Sequence, residues 1–189
     1  MTGCTALIDA NVLYSSFIRD ICTDLCTFGV FRGRWTDEIH HEWMRALRKN
    51  DPRMMPEKLG RIRDRIILSS DDSLITGYEA LIPELNLPDP DDRHVLAAAV
   101  VGRCDIIVTK NLKDFPDEAL GRYQIEAQLP DTFLLNQMNR DVDLFCEIIR
   151  GIRNRLKNPP HSVERYLSSL RGEGLAGTAS ALEKHAHLL

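Results

Sequence analysis

CTALIDANVL, residues 4–13, is an apolar run that ends on an acid before helical spacing begins. This short apolar run reads as a buried strand that delivers Asp9 at its carboxyl end. Beyond Asn11, the residues Val12, Leu13, Phe17, Ile18, Ile21 and Leu25 recur at three and four, which predicts one helix running towards Phe31. A buried strand followed by a helix is the repeating unit of an α/β protein. A carboxylate at the end of such a strand is costly unless it is paired or holds a cation.

The same alternation continues outward from this unit. GRW (33–35) reads as a second strand, and Thr36 as the N-cap of DEIHHEWMRALRK, with acids in its first turn and bases in its last. A helix is predicted from Pro56 to about Leu68, and DSLITGYEALIPELNLPDP mixes a short strand with a turn of helix. DDRHVLAAAVVGR is a helix closed by Gly102, and DIIVTK a β-branched strand. NLKDFP then forms a loop, Pro116 starts a short helix, and YQIEA is a last strand. This order predicts an α/β fold with a central, mostly parallel sheet, whose site lies at the carboxyl ends of the strands. From Asp131 onward only amphipathic helix appears. Residues 1–135 are therefore expected to form the α/β domain and residues 136–189 a helical extension, with Asn158–His161 as its internal hinge.

Composition narrows the class further. At 189 residues and 43% hydrophobic content, the chain can bury one ordinary core. No apolar run approaches the length of a membrane span, and Asp9 interrupts the first one, so neither a membrane segment nor a secretory leader is expected and the protein reads as cytoplasmic. Cys22 and Cys26 lie one helical turn apart, but no second Cys/His pair follows at zinc spacing, so the five cysteines read as free thiols. The net charge of −4 is unevenly spread: eight bases face three acids between Arg45 and Arg65. That stretch is either a solvated pair of helix faces or a phosphate-binding surface.

PDPDDRHVLAAA (88–99) carries Asp89, Asp91 and Asp92 just before a buried helix, more acids than capping requires. Asp92, the last of them, has the best aim toward the strand ends; Asp91 is expected to cap and Asp89 to shape the turn. Glu42 lies on a helix and could face the site or solvent. Asn111 directly follows the DIIVTK strand and Asp114 comes three residues later, so either could be the inward residue. Several carboxylates without catalytic bases suit a hard cation, because Mg²⁺ and Mn²⁺ prefer oxygen ligands. Their mutual repulsion is relieved when a cation binds. His40 and His41 read as partly exposed helix residues, and His94 as facing away from Asp92; none is assigned to catalysis.

LIDANVL with Asp9, IHHEW with Glu42, DPDDRHVLAAAV with Asp92 and IIVTKNLKDFP with Asn111 and Asp114 together resemble the four acidic motifs of the PIN domain, particularly of VapC-type toxins. The resemblance covers roughly residues 4 to 130 and implies a three-layer PIN-like fold and a metal-dependent endoribonuclease held inactive by a VapB-like antitoxin. It implies Asp9, Glu42, Asp92 and Asp114 as catalytic and metal-binding acids for Mg²⁺ or Mn²⁺, supported by Asn11, Thr109 and Asn111. Arg45, Arg48, Lys49 and Arg61 are then candidates for RNA binding, and a homodimer is a family expectation. Two other readings compete. One is a PIN-fold RNA- or protein-binding module without turnover, suggested by Asn111 in place of an acid. The other is a phosphatase with Asp9 as nucleophile, which fits poorly because Asn11 stands where a second Asp is needed.

Overall fold

A computed structural model describes residues 3–189. Its sheet has four strands, β1 (Thr5–Ile8), β2 (Arg32–Arg34), β3 (Ile106–Val108) and β4 (Glu126–Gln128), in the order β2-β1-β3-β4. Every pairing is parallel. Alternate residues of a strand point to opposite faces, yet Ala6, Leu7 and Ile8 are all fully buried. Both faces of β1 are thus covered by helices, and the domain has three layers. The helix α5 (Arg93–Val101) packs on β1 and β3, and Val95 to Ala99 bury every side chain. Small alanines let this helix approach the sheet closely.

The long helix expected after Asp9 is broken. α1 (Ala10–Leu13) ends at Tyr14, and Ser15 starts α2 (Ser16–Thr27) by accepting the Ile18 N–H at 3.3 Å. The Ser15 hydroxyl competes with helix continuation and resets the axis. The second strand lies one residue earlier than GRW suggested, because Trp35 leaves the β1 pairing to bridge Leu74. That isolated bridge is all that forms of the strand expected in DSLIT. α3 (Asp37–Asn50) is capped by the Thr36 hydroxyl, which accepts from Ile39 N at 3.1 Å; α4 (Pro56–Ile67) starts with proline in its first turn. Both match the spacing of the sequence. The short helix after Pro116 is α6 (Asp117–Leu120).

Beyond β4 come α7 (Pro130–Met138), α8 (Val142–Arg155), α9 (Val163–Gly172) and α10 (Ala176–Glu183). α8 packs along α2, and an Arg155–Asp24 ion pair joins them; α10 packs on α7 and α9. Asp131 fastens this arrangement. Its carboxylate accepts from Gly177 N at 2.7 Å, Thr178 N at 2.7 Å and Thr178 Oγ1 at 2.6 Å, at the amino end of α10 where negative charge is favoured. A Cβ on Gly177 would meet Leu135 Cδ1 at 2.8 Å and Asp131 Oδ2 at 2.9 Å, so only glycine admits this approach. Among the described residues no helix is long and apolar enough to cross a membrane.

Candidate metal centre

From β1 the chain first builds β2 on one side and later returns as β3 on the other, so the strand order reverses at the β1/β3 boundary. A crevice opens outside the carboxyl ends of the strands at such a point. Ile8 pairs with Val108, which places Asp9 and Thr109 side by side as the chain leaves the sheet.

Asp9 is 5% exposed, and its Oδ2 is held on two sides. Thr109 Oγ1 donates to it at 2.7 Å and Asn11 Nδ2 at 2.5 Å. Thr109 Oγ1 also accepts from Asn11 Nδ2 at 3.0 Å and from Asn111 N at 3.1 Å, so its one proton and both lone pairs are used. Asn11 Oδ1 accepts from Lys110 N at 3.0 Å and completes the staple between the two strand ends. Burial pushes the Asp9 carboxyl above its ordinary range; the Thr109 hydrogen bond and the Ala10 N–H pull it back, and the Glu42 charge adds to the rise.

Asp92 closes a single 3₁₀ turn, Pro90–Asp92, ahead of α5. The expected division of labour among the three aspartates is corrected here. Asp89, not Asp91, is the cap: its Oδ1 accepts from Asp91 N at 2.9 Å, and Asp91 is exposed. Proline at the first position of the turn fixes this phase, so that Asp89 and Asp92 face the same way and Asp91 points out. Ligand oxygens of Asp89, Asp92 and Asp114 lie within 4.8 Å of one another, a grouping able to hold a metal ion. The Asp92 carboxyl is raised to about 6, first by burial and then by the charges of Asp9, Asp89 and Asp114. Asp114 is 7% exposed and belongs to the 3₁₀ turn Leu112–Asp114, and the Asn111 amide hydrogen-bonds directly to its Oδ2. Asn111 and Asp114 thus lie side by side, the amide against the acid.

Glu42 comes from α3 and is one-third exposed. Its Oε1 lies 3.3 Å from His94 Nε2, while His94 Nδ1 lies 3.5 Å from Glu38 Oε2. His94 is thus buried between two carboxylates instead of turned away from the site. Burial lowers its basicity, but Glu42 and Glu38 outweigh this and its pKa is raised. His40 also departs from expectation. It is fully buried, accepts from Trp43 Nε1 at 3.0 Å through Nδ1, and is lowered to about 4 by burial, so it is a neutral core residue.

Asp9, Glu42 and Asp92 line one cavity of about 560 Å³, together with Asn11, Tyr14, Arg45 and Lys110. Asp9 and Glu42 stand outside the 4.8 Å cluster, which Asp92 joins to the cavity. Arg45 also borders a second cavity between α3 and α4, which Arg48 lines as well; Lys49 and Arg61 are exposed and line neither. Much of the remaining basic stretch is already paired: Arg53 with Asp51, Arg63 with Asp37 and Arg65 with Asp20. Cys22 and Cys26 are buried in the core, and burial pushes the Cys22 thiol up to about 12 and Cys26 well above its ordinary value. Sequence reasoning missed Asp89 as a member of the cluster and His94 as the partner that Glu38 and Glu42 share. The i, i+4 spacing of Glu38 and Glu42 was the available signal for the latter.

Two family models and a curated protein are similar to this chain. Residues 5–113 match the family model of the PIN domain, and residues 130–184 match one described as the VapC50 C-terminal domain. A Mycobacterium tuberculosis (strain ATCC 25618 / H37Rv) protein named "Putative ribonuclease VapC50" is 45% identical over 94 residues, which is 50% of this chain and 55% of that protein. The chain spans about half the length of this curated relative. No solved structure gives a significant match. The parallel sheet, the acids at its carboxyl edge and a family match over more than half of the sequence lead to one conclusion: the chain belongs to the PIN-domain family and carries a C-terminal segment of the VapC50 type.

Proposed function

We propose that the chain is a metal-dependent endoribonuclease, the toxin of a type II toxin–antitoxin pair. The observation that carries this reading is the convergence of carboxylates at the β1/β3 crevice: Asp9, Glu42 and Asp92 on one cavity, with Asp114 beside Asp92. The name of the M. tuberculosis relative points the same way.

The donor set fits a hard divalent cation. All the candidate ligands are carboxylate oxygens, and a cation would offset both the burial and the neighbouring charges of Asp9, Asp89 and Asp114 that raise the Asp92 carboxyl. Asp9, Glu42, Asp92 and Asp114 would hold Mg²⁺ or Mn²⁺, with Asp89 at the edge of the set. Bound there, such an ion makes water a better nucleophile at neutral pH and offsets the charge that develops on a phosphodiester. The protein supplies orientation. Thr109 and Asn11 hold Oδ2 of Asp9 and so orient its other oxygen, Asn111 holds Asp114, and His94 holds Glu42. Arg45, Arg48, Lys49 and Arg61 contact the RNA backbone, which makes binding salt-dependent.

In this reading residues 1–135 are the nuclease and residues 136–189 a helical extension that covers α2. The partners are an RNA substrate, a VapB-like antitoxin and a second copy of the chain in a homodimer, in the cytoplasm. The alternative of a PIN-fold module without turnover drew on Asn111. Asp114, buried next to Asn111, supports the catalytic reading instead. The test is cleavage of RNA by the purified chain in Mn²⁺ or Mg²⁺. Activity should vanish with chelator and return when the cation is restored in excess, whereas RNA binding without cleavage under every cation condition would favour the module.

A further inference from the structure

The cavity that holds the acids has one wall that metal chemistry does not use. Tyr14 sits at the break between α1 and α2, is 37% exposed, and lines the cavity beside Asp9, Asn11 and Lys110. Its ring is held at the tip: Asn50 Nδ2, at the end of α3, donates to the Tyr14 hydroxyl at 2.8 Å. An aromatic held this way loses little freedom when a flat ligand covers it. Two cations share the same cavity, Arg45 from α3 and Lys110 after β3; both are exposed, and neither has an ion-pair partner among the described residues. Free positive charge, a fixed aromatic face and a carboxylate cluster in one concave site of about 560 Å³ suit a polyanion that also has flat rings.

We propose that Tyr14 is a stacking platform for one unpaired nucleobase of single-stranded RNA next to the scissile phosphate, with Arg45 and Lys110 contacting the flanking phosphates. This rests on the ribonuclease reading and deepens it by naming a residue that binds the substrate. Bases within a duplex have their faces covered by their neighbours, so a platform of this kind selects unpaired strands. Tyr14 touches the substrate but no reacting atom, so its contribution lies in binding rather than in the chemical step.

The experiment is single-turnover cleavage in Mn²⁺ of a labelled single-stranded RNA and of a series in which each position in turn is abasic, read as the half-saturating protein concentration. For the intact RNA, Tyr14→Ala should raise that concentration roughly 5- to 150-fold, the range for losing one base–aromatic stack, with the saturated rate little changed. One abasic position should impair the wild type by a similar factor and leave Tyr14→Ala unaffected. Tyr14→Phe and Tyr14→Trp keep an aromatic face but lose the Asn50 hydrogen bond, and should recover most of the loss. Arg45→Ala should instead weaken all RNAs alike and reduce the salt dependence by about one unit. The inference is overturned if Tyr14→Ala matches the wild type on intact RNA, or loses equally on intact and on every abasic RNA. Absence of cleavage by the wild type would overturn the ribonuclease reading itself, and this inference with it; normal cleavage indifferent to Tyr14 would remove the inference alone.

Discussion

Replacing Thr109 by valine keeps the shape and β-branching of a fully buried residue and removes only its hydroxyl. That hydroxyl is the shortest link between the two strand ends, donating to Asp9 Oδ2 at 2.7 Å while accepting from Asn11 and Asn111. Thr109 is fully buried and valine fills its place, so no water can replace the lost donor there. A hydrogen bond to a charged group in such a place contributes about 1.5–3 kcal/mol. For a chain of this size each kcal/mol corresponds to roughly 2–4 °C, so thermal unfolding near neutral pH should shift down by about 3–12 °C. Loss of this support should also weaken metal binding about 10- to 100-fold, as measured by Mn²⁺ titration calorimetry. Thr109→Ser retains the hydroxyl and should recover most of both effects. If Thr109→Val melts and binds Mn²⁺ like the wild type, or if the serine variant is as impaired as valine, the hydroxyl does not hold Asp9 in the way its geometry implies.

Other consequences can be measured separately. The folded Asp92 carboxyl, at about 6, lies above its ordinary value of 3.8, so the folded state holds a proton that the unfolded state releases first. Its contribution to stability is full below about pH 4 and is lost as pH rises through 6. The metal-free protein should therefore melt lower at pH 7.5 than at pH 5, and added Mn²⁺ should raise the melting temperature more at pH 7.5; equal Mn²⁺ shifts at both values would contradict this. His94→Ala should release Glu42 and lower Mn²⁺ affinity about 10-fold or more, while His94→Gln, which keeps a donor near Glu42, should lose less. Asp131→Ala removes three hydrogen bonds from the start of α10 and should cost about 2 kcal/mol by chemical denaturation, with RNA cleavage below the transition unchanged.

The central acid was legible because apolar strand residues ending on a carboxylate leave few structural explanations; Asp9 lies where LIDANVL implied. The parallel sheet followed from alternating strands and helices, and its edge brought distant motifs together. Local phase was harder to read. Which aspartates of DPDD turn inward depends on a single 3₁₀ turn begun by Pro90, and spacing alone points to Asp91 as the cap although Asp89 performs that role. The break at Ser15 was hidden because apolar periodicity resumes in α2 as though the helix continued, even though the YSS run contains the capping residue. His40 looked like surface because it is polar. It lies three residues before Trp43, on the same buried face, and the two side chains satisfy each other. Glu42 could not be oriented from sequence because its partner, His94, is 52 residues away.

The most direct measurement compares the rate of single-stranded RNA cleavage in Mn²⁺ by the wild type and by the Asp9→Asn, Asp92→Asn double variant, with both first shown by circular dichroism to be folded. A carboxylate-held cation at the β1/β3 crevice predicts clear cleavage by the wild type, abolished by chelator, and none above background from the double variant. Equal cleavage by the two proteins would contradict it.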